Sequence, residues 1–341
     1  MLEEGQSMKN LGVREISRQT GFSPATVSNA LNHKRGVNTA TAESILRVAR
    51  ELGYTRQGHI SNINFVMARK TGEVLDEGTF HTGVINGIAA KAQAEGIKTS
   101  FTTLELGDRA SATTQASDII HNTSSAVILL GTEMAEEDYD LFSDPETPLV
   151  VVDGTSDRIP LDAIVMSNET SSYRATRYLI EHGHREIGYI AGSYRIRNFP
   201  LRERGWRRAM REAGLSINPD FRVAVGTKVS TSYEGMLAWL RTSPKLPTAF
   251  FAENDIMAFG CMRAFSERGL AVPDDISLIG FDDLSFATIA NPPLTTMHVP
   301  NQEMGEMAVQ GILDVINKPS DYTRVLHIGT SLIERRSVRQ L

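Results

Sequence analysis

The stretch GVREISRQTGFSPATVSNALN, residues 12–32, predicts two short helices joined by a tight turn. Its apolar residues recur at helical spacing: Val13, Ile16, Phe22, Val27, Ala30 and Leu31. Gly21 stands where the chain must turn sharply, and Ser23 followed by Pro24 is typical of a helix N-terminus. Taken alone, this pattern fits either an ordinary helical hairpin or a DNA-binding helix-turn-helix.

The second helix of this pair carries small and hydroxyl-bearing side chains on its exposed face. They are Ala25, Thr26, Ser28 and Asn29. Such short side chains let a helix enter the DNA major groove, and Thr, Ser and Asn can form hydrogen bonds with base edges or phosphates. The composition of this face therefore favours the DNA-binding interpretation.

Charge is distributed unevenly along the chain. Residues 9–56 hold eight basic and three acidic side chains, a net charge of +5. Because the whole chain has a net charge of −6, the remaining residues carry −11. A basic domain attached to an acidic body is what attraction to phosphates predicts for a small DNA-binding domain. With a third helix expected over 38–52, we predict a helix-turn-helix DNA-binding domain at 9–56 and a short linker at 57–61.

From residue 62 onward, short apolar runs alternate with amphipathic helical stretches. Two successive series of this kind predict an α/β body of two doubly wound parallel-sheet lobes, so the expected fold is an all-α head with a body like that of periplasmic binding proteins. We assign 62–341 to this effector-binding and dimerisation domain. The N-lobe takes about 62–166 and 297–320, and the C-lobe takes about 167–296 and 321–341. Ligands of such sheets bind beyond the carboxyl ends of the strands, which here means the cleft between lobes.

Several classes of protein are disfavoured by composition. Cys261 is the only cysteine, which fits a reducing compartment, and no apolar run reaches the ~18 residues of a membrane span. The N-terminal MLEEGQSMKN is not a secretory signal, so we expect a cytoplasmic protein rather than a periplasmic sugar-binding one. An enzyme on a doubly wound fold is the remaining alternative. It is disfavoured because neither a GxxxxGK[ST] loop nor a metal-ligating cluster is present, and we expect no cofactor and no metal.

Eight segments between residues 10 and 338 resemble transcription regulators of the lactose-repressor and purine-repressor (LacI/GalR) type. In order they are REISRQTGFSPATVSNALN, RVARELGY, YLIEHGHREIGYIAG, LRERGW, PTAFFAENDIMAFG, VPDDISLIGFDD, PPLTT and LIERRSV. The resemblance implies a homodimeric repressor that reads a near-palindromic operator in double-stranded DNA. It also implies control by a small effector bound in the cleft.

The resemblance assigns roles to residues of the head. Pro24, Ala25 and Asn29 fall at base-reading positions. The remaining predicted DNA contacts are Ser23, Thr26, Ser28, Lys34 and Arg35. One departure concerns the linker, because the alanine–arginine–x–leucine stretch that folds as a hinge helix in the family has no counterpart between Tyr54 and Ile63. A minor-groove wedge and strong DNA kinking are therefore not expected.

In the cleft, the resemblance places Arg202, Asp282, Asn254 and Asp153 at effector-binding positions. A structural salt bridge is the alternative for Arg202 and Asp282.

Lys228 stands where many members have an aromatic residue, and Arg69 follows the first strand. We expect both to line the cleft, together with Arg195 and Arg197 nearby. These cations favour an anionic carbohydrate, either a sugar acid or a sugar phosphate. The alternative is a neutral sugar with a solvated Lys228.

Overall fold

The computed structural model describes residues 13–31, 37–52, 60–77, 80–318 and 320–341. They belong to two compact units: one from Met1–His59 and Asp314–Pro319, the other from Ile60–Leu313 and Ser320–Leu341. Lys34, Arg35 and the first three residues of the predicted linker lie outside the described residues. None of the helices within the described ranges is long and apolar enough to cross a membrane.

The first unit contains three helices, α1 (Val13–Thr20), α2 (Pro24–Leu31) and α3 (Thr39–Glu51). Their shared core contains the apolar residues that helical spacing predicts: Ile16, Val27, Ala30, Leu31, Ile45 and Ala49. Gly21 has a φ of +73°. Glycine adopts this conformation without steric cost because it has no Cβ. The Ser23 hydroxyl accepts a hydrogen bond of 3.1 Å from the Thr26 amide and so caps α2.

The first lobe of the body begins with five parallel strands and two helices. The strands are β1 (Asn62–Arg69), β2 (Lys98–Glu105), β3 (Ser125–Leu130), β4 (Leu149–Val152) and β5 (Asp162–Met166). The helices are α4 (Phe80–Ala94) and α5 (Arg109–Ile120). Every residue of β3 and β4 is buried, as expected for strands that are covered on both faces.

The second lobe has a four-stranded parallel sheet in the order β7-β6-β8-β9. Its strands are β6 (Ile187–Gly192), β7 (Arg222–Val225), β8 (Ala249–Ala252) and β9 (Ser277–Ile279). Its helices are α6 (Asn168–Glu181), α7 (Asn198–Glu212), α8 (Val229–Arg241) and α9 (Asp255–Glu267). This alternation confirms the doubly wound arrangement predicted from the sequence.

The last part of the chain passes between the lobes. Its elements are β10 (Thr296–His298), α10 (Asn301–Asn317), β11 (Val325–Ile328) and β12 (Ser331–Ile333). β10 and β12 pair antiparallel. Helix α10 packs on α4 in the first lobe, where a Cβ at Gly87 would meet the Gln302 carbonyl oxygen at 1.9 Å. Glycine is therefore required for this close crossing.

The position of β11 differs from the sequence-based assignment of 321–341 to the second lobe. β11 pairs parallel with β5, with Val325 opposite Ala163, and completes a first sheet of order β11-β5-β4-β3-β1-β2. The final residues do lie with the second lobe, since the Leu278 amide donates to the Ser337 carbonyl. Local pattern predicts that VLHI is a strand, but it does not specify the distant edge with which the strand pairs.

Candidate functional site

A small cavity lies between the strand ends of the two lobes. Asp153, Arg202, Asn254 and Asp282 line it, which brings together four of the six residues that the sequence assigned to the effector. Apolar side chains form much of the remaining wall: Val74, Phe80, Ile196, Phe199, Ile256 and Leu284. A few convergent polar groups in a largely apolar wall are typical of a small-molecule site.

Arg202 projects from the first turns of α7 and is 3% exposed. Its Nε donates to Asn168 Oδ1 at 2.8 Å, and its Nη1 donates to the carbonyl of Glu253. Its Nη2 lies 3.4 Å from Asp282 Oδ1, and the guanidinium carbon lies 3.7 Å from the centroid of the Phe281 ring. The guanidinium is thus held on several sides and presents a fixed donor edge to the cavity.

The two cavity aspartates are held in an uncommon backbone conformation. Asp153 follows β4 with a φ of +57°, and Asp282 lies beyond β9 with a φ of +109°. Non-glycine residues in this region store strain and concentrate at functional sites. Asp255 supports the second turn, because its carboxylate accepts hydrogen bonds from Thr296 Oγ1 at 2.6 Å and the Leu284 amide at 2.9 Å.

Burial shifts the protonation of both aspartates. It raises the pKa of the Asp282 carboxyl to about 7, although the Arg202 guanidinium opposes the shift. Burial also raises the pKa of Asp153, while hydrogen bonds from Thr132 and Asn198 oppose that shift. Perturbed carboxyl groups that converge on a cavity favour a binding role for this site.

Asn254 lies two residues after β8 and caps the next helix. Its Oδ1 accepts a hydrogen bond of 2.9 Å from the amide of Met257, in the first turn of α9. This bond fixes the side chain at the cavity wall. Glu253 beside it is fully buried, and its carboxylate accepts from Tyr189 Oη at 2.7 Å and from Arg195. The buried carboxylate therefore anchors the segment that presents Asn254.

Arg69 and Lys228 do not line this cavity. Arg69 forms ion pairs with Asp76 at 3.0 Å and Glu105 at 3.2 Å, and the Lys228 ammonium lies 3.8 Å from Glu73. Arg195 and Arg197 are also paired, at 2.7 Å each, with Glu253 and Asp157 respectively. Carboxylates of the protein thus offset each cation on which the expectation of an anionic ligand rested.

One side of the cavity is closed by the loop of residues 70–77. Both carboxylate oxygens of Glu133 accept backbone hydrogen bonds from it: Lys70, Thr71 and Gly72 donate to Oε2, and Val74 and Leu75 donate to Oε1. Burial alone would raise the pKa of Glu133, but these donors outweigh it and hold the pKa below its usual range. A saturated, ionised carboxylate therefore gives this loop one defined conformation.

Sequence reasoning missed the polar residues that support the cavity. Asn168, Asn198 and Thr132 are buried and join the charged residues through hydrogen bonds. Each follows or ends a strand–helix connection, where ligand-binding groups of doubly wound sheets concentrate. That position is a signal, but many other polar residues share it.

At the start of α2, Ser23 just before the helix and Pro24 and Ala25 within it are exposed, whereas Thr26, Ser28 and Asn29 are half-buried. The hydroxyl oxygens of Ser23 and Thr26 lie 2.9 Å apart. These six predicted contacts belong to one turn-and-helix segment, with the core residues Val27 and Ala30 on its other side. In the described part of the chain, no group of three or more His, Cys, Asp or Glu side chains could hold a metal ion.

Two family profiles match the chain. Bacterial regulatory proteins of the lacI family match residues 13–57, and the periplasmic binding protein-like domain matches residues 176–338. The HTH-type transcriptional repressor PurR of Pasteurella multocida is 30% identical over 330 residues, covering 96% of this chain and 98% of the relative. PurR of Haemophilus influenzae is 29% identical, with coverage of 96% and 99%.

Solved structures of the same fold extend over nearly the whole chain. The complex of the transcriptional regulator CelR with cellobiose has a TM-score of 0.72 at 24% identity, covering 96% of this chain and 99% of CelR. The lac repressor dimer bound to operator and the anti-inducer ONPF has a TM-score of 0.69 at 21% identity, with the same coverage. At these identities the likeness concerns the fold.

Proposed function

The chain belongs to the lacI family of bacterial regulatory proteins and is a DNA-binding transcriptional repressor, and from this premise we propose that a neutral carbohydrate in the cavity controls its affinity for an operator. Asp153, Arg202, Asn254 and Asp282 at one cavity are the observation that carries the proposal. Hydroxyl groups both donate and accept hydrogen bonds, so a sugar can satisfy carboxylates and a guanidinium together.

The charge of the cavity favours a neutral ligand over an acidic one. Arg202 is the cationic side chain of its lining, and it faces the two carboxyl groups of Asp153 and Asp282. An added carboxylate or phosphate would have to approach these carboxyl groups with Arg202 already engaged by Asp282. Two carboxyl groups beside one engaged guanidinium thus offer an added anion little positive charge, and the cations once expected to help are paired elsewhere.

A purine base is the second candidate. The relatives named PurR suggest it, and Phe80 and Phe199 supply aromatic surface in the cavity wall. A planar base would stack on such surface and present ring N–H groups to the carboxylates. The two candidates differ in that a sugar engages many hydroxyl-binding groups, whereas a base requires a flat apolar slot.

In the head, we propose that Pro24, Ala25 and Asn29 contact base edges. Ser23, Thr26, Ser28, Lys34 and Arg35 complete the DNA contacts. Two heads are needed to read a near-palindromic operator, so the working form is a homodimer. We propose that the protein acts in the cytoplasm, because its proposed partner is DNA.

Isothermal titration calorimetry of the full chain tests the effector class. We expect saturable binding of a neutral mono- or disaccharide from a panel that also contains sugar acids, sugar phosphates, hypoxanthine and guanine. A change in operator affinity with the same ligand completes the test. Tight binding of only the purine bases, or only the anionic sugars, would overturn the proposal.

A further inference from the structure

A continuous chain of side-chain hydrogen bonds joins the two lobes at the cavity wall. Arg202 Nε donates to Asn168 Oδ1 at 2.8 Å, and Asn168 Nδ2 donates to Asn198 Oδ1 at 3.1 Å. Asn198 Nδ2 donates to Asp153 Oδ1 at 2.8 Å, and Thr132 Oγ1 donates to Asp153 Oδ2 at 2.7 Å. All five residues are buried, with at most 6% of their surface exposed.

The directions of the bonds between Arg202 and an ionised Asp153 are fixed by these two groups. A guanidinium only donates and a carboxylate only accepts, so each amide between them must accept with oxygen and donate with nitrogen. Turning either amide over would oppose two donors or two acceptors in a buried place. Such unsatisfied groups are costly, so the chain has one stable arrangement.

The positions of the two asparagines link three parts of the body. Asp153 follows β4 of the first sheet, and Asn198 begins α7 of the second lobe. Asn168 begins α6, two residues after β5, at the point where the chain leaves the first sheet. The bonds therefore connect the first lobe, a crossing segment and the second lobe.

We propose that Asn168 and Asn198 are positioning residues that orient Arg202 and Asp153 toward the cavity and hold the cleft closed. They act through these two charged groups, whatever small molecule the cavity takes. Removing one amide leaves one buried atom, Arg202 Nε or Asp153 Oδ1, without its hydrogen bond, and the cleft relieves this by opening to water. If a residue merely filled space, its substitution would not affect contacts between the lobes across the cleft.

The substitution Asn198→Asp distinguishes a positioning role from a space-filling one, because it keeps the shape of the side chain and replaces its amide by a carboxyl group. Two carboxylates would then face each other where Asn198 and Asp153 now share a bond of 2.8 Å. They can be rejoined only by a shared proton, which the pair loses as the pH rises and takes up as the pH falls. The other titratable groups around Asp153 are Arg202, Asp282, Tyr139 and the cavity-lining His81.

Those groups are common to wild type and variant. The ratio of the exchange rates of the two proteins at one pH therefore reports on the new carboxylate alone. The reporter is the amide of Val229, which donates across the cleft to Glu77 Oε2 at 2.7 Å. Hydrogen–deuterium exchange of the ligand-free full chain measures its opening. Asn122→Asp, a substitution of an exposed residue at the opposite end of β3, serves as the matched control.

At about pH 8 we expect exchange at Val229 to be roughly tenfold faster in Asn198→Asp than in wild type, the factor expected for one lost buried hydrogen bond. At about pH 5.5 the ratio falls toward one, and Asn122→Asp stays at one throughout. An unchanged ratio at pH 8, or an increase that acid does not reverse, would overturn the proposal.

Asn168→Ala provides an independent test should Asn198→Asp not fold. It removes an amide without adding a carboxylate, so we expect faster exchange at Val229 by a similar factor at both pH values. Wild-type exchange in this variant would also overturn the proposal. Since no effector is present in either measurement, an error in the proposed effector class would leave both results intact.

Discussion

Glu77 of the first lobe accepts a hydrogen bond of 2.7 Å from the backbone N–H of Val229, the first residue of α8 in the second lobe. Beside it, the Thr227 hydroxyl donates to the Glu73 carbonyl at 2.9 Å. The first N–H groups of a helix have no partner within the helix and favour a negative charge. The loop held by Glu133 therefore closes the cavity by capping a helix of the opposite lobe.

Glu77→Ala removes this interlobe cap, and we expect a bound ligand to dissociate about fivefold faster, as suits a cap contributing about 1 kcal/mol. Stopped-flow displacement with the ligand identified by calorimetry measures the rate. Glu95→Ala is the control, because Glu95 pairs with Lys91 on the outer face of the first lobe. Equal dissociation rates in the two variants would contradict a closing role for Glu77.

The raised pKa of Asp282 makes stability depend on pH. In the folded protein this pKa is about 7, whereas an unfolded chain has about 3.9. The folded form thus binds the proton more tightly, so the stabilisation is complete below about pH 4 and lost as pH rises through 7. We expect the free energy of unfolding to fall between about pH 5 and pH 7.

Asp282→Asn removes this contribution and should reduce the slope by at most ~1.4 kcal/mol per pH unit. Urea unfolding at a series of pH values measures it. The slope is reduced rather than abolished, because burial also raises the pKa of Asp153, Glu253 and Asp255. A slope equal to that of the wild type would mean that Asp282 titrates normally.

Arg202→Ala and Lys228→Ala should differ sharply in ligand affinity. Arg202 is buried at the cavity, and losing its charge-assisted hydrogen bonds should weaken binding by about 2 kcal/mol or more, roughly thirtyfold. Lys228 is paired with Glu73 outside the lining, so we expect a change of less than about threefold. Calorimetry checks both, and a large loss in Lys228→Ala would instead favour an anionic ligand.

Two glycines allow backbone strain to be compared in the two units. Gly21 and Gly96 have φ values of +73° and +71°, and a Cβ at either would meet no atom within 4 Å. Alanine at each position should therefore cost about 1 kcal/mol through strain alone. By calorimetry, only Gly21→Ala should lower the unfolding temperature of the head, by roughly 4–8 °C. If Gly96→Ala also lowered the unfolding temperature of the head, the two units would not unfold independently.

Asn29→Ala and Arg35→Ala should affect DNA binding in different ways. Losing a base contact should cost about 1–3 kcal/mol on the cognate operator and relax preference at one base pair. Losing a phosphate contact should weaken binding to all sequences and reduce the salt dependence by about one ion. Fluorescence anisotropy with cognate and scrambled duplexes measures both, and equal losses on the two duplexes for Asn29→Ala would refute base reading.

The sequence by itself determined the elements and their type. The helices of the head follow from apolar spacing and from the caps at Ser23 and Asn38, which are interactions between neighbours in the chain. The two doubly wound lobes follow from repeated strand and helix patterns. The family resemblance placed Asp153, Arg202, Asn254 and Asp282 at the cleft, and the rule that parallel strands share one carboxyl edge predicted a site at the same place.

Only the tertiary structure decided which groups face each other across long separations. Arg195 pairs with Glu253, 58 positions away, and Thr227 bonds to Glu73, 154 positions away. Residue spacing states which side of an element a side chain occupies, but not which distant charge will neutralise it. For the same reason, residue spacing could not predict the strand with which β11 pairs or the asparagines that join the lobes. Both depend on how separately formed elements pack.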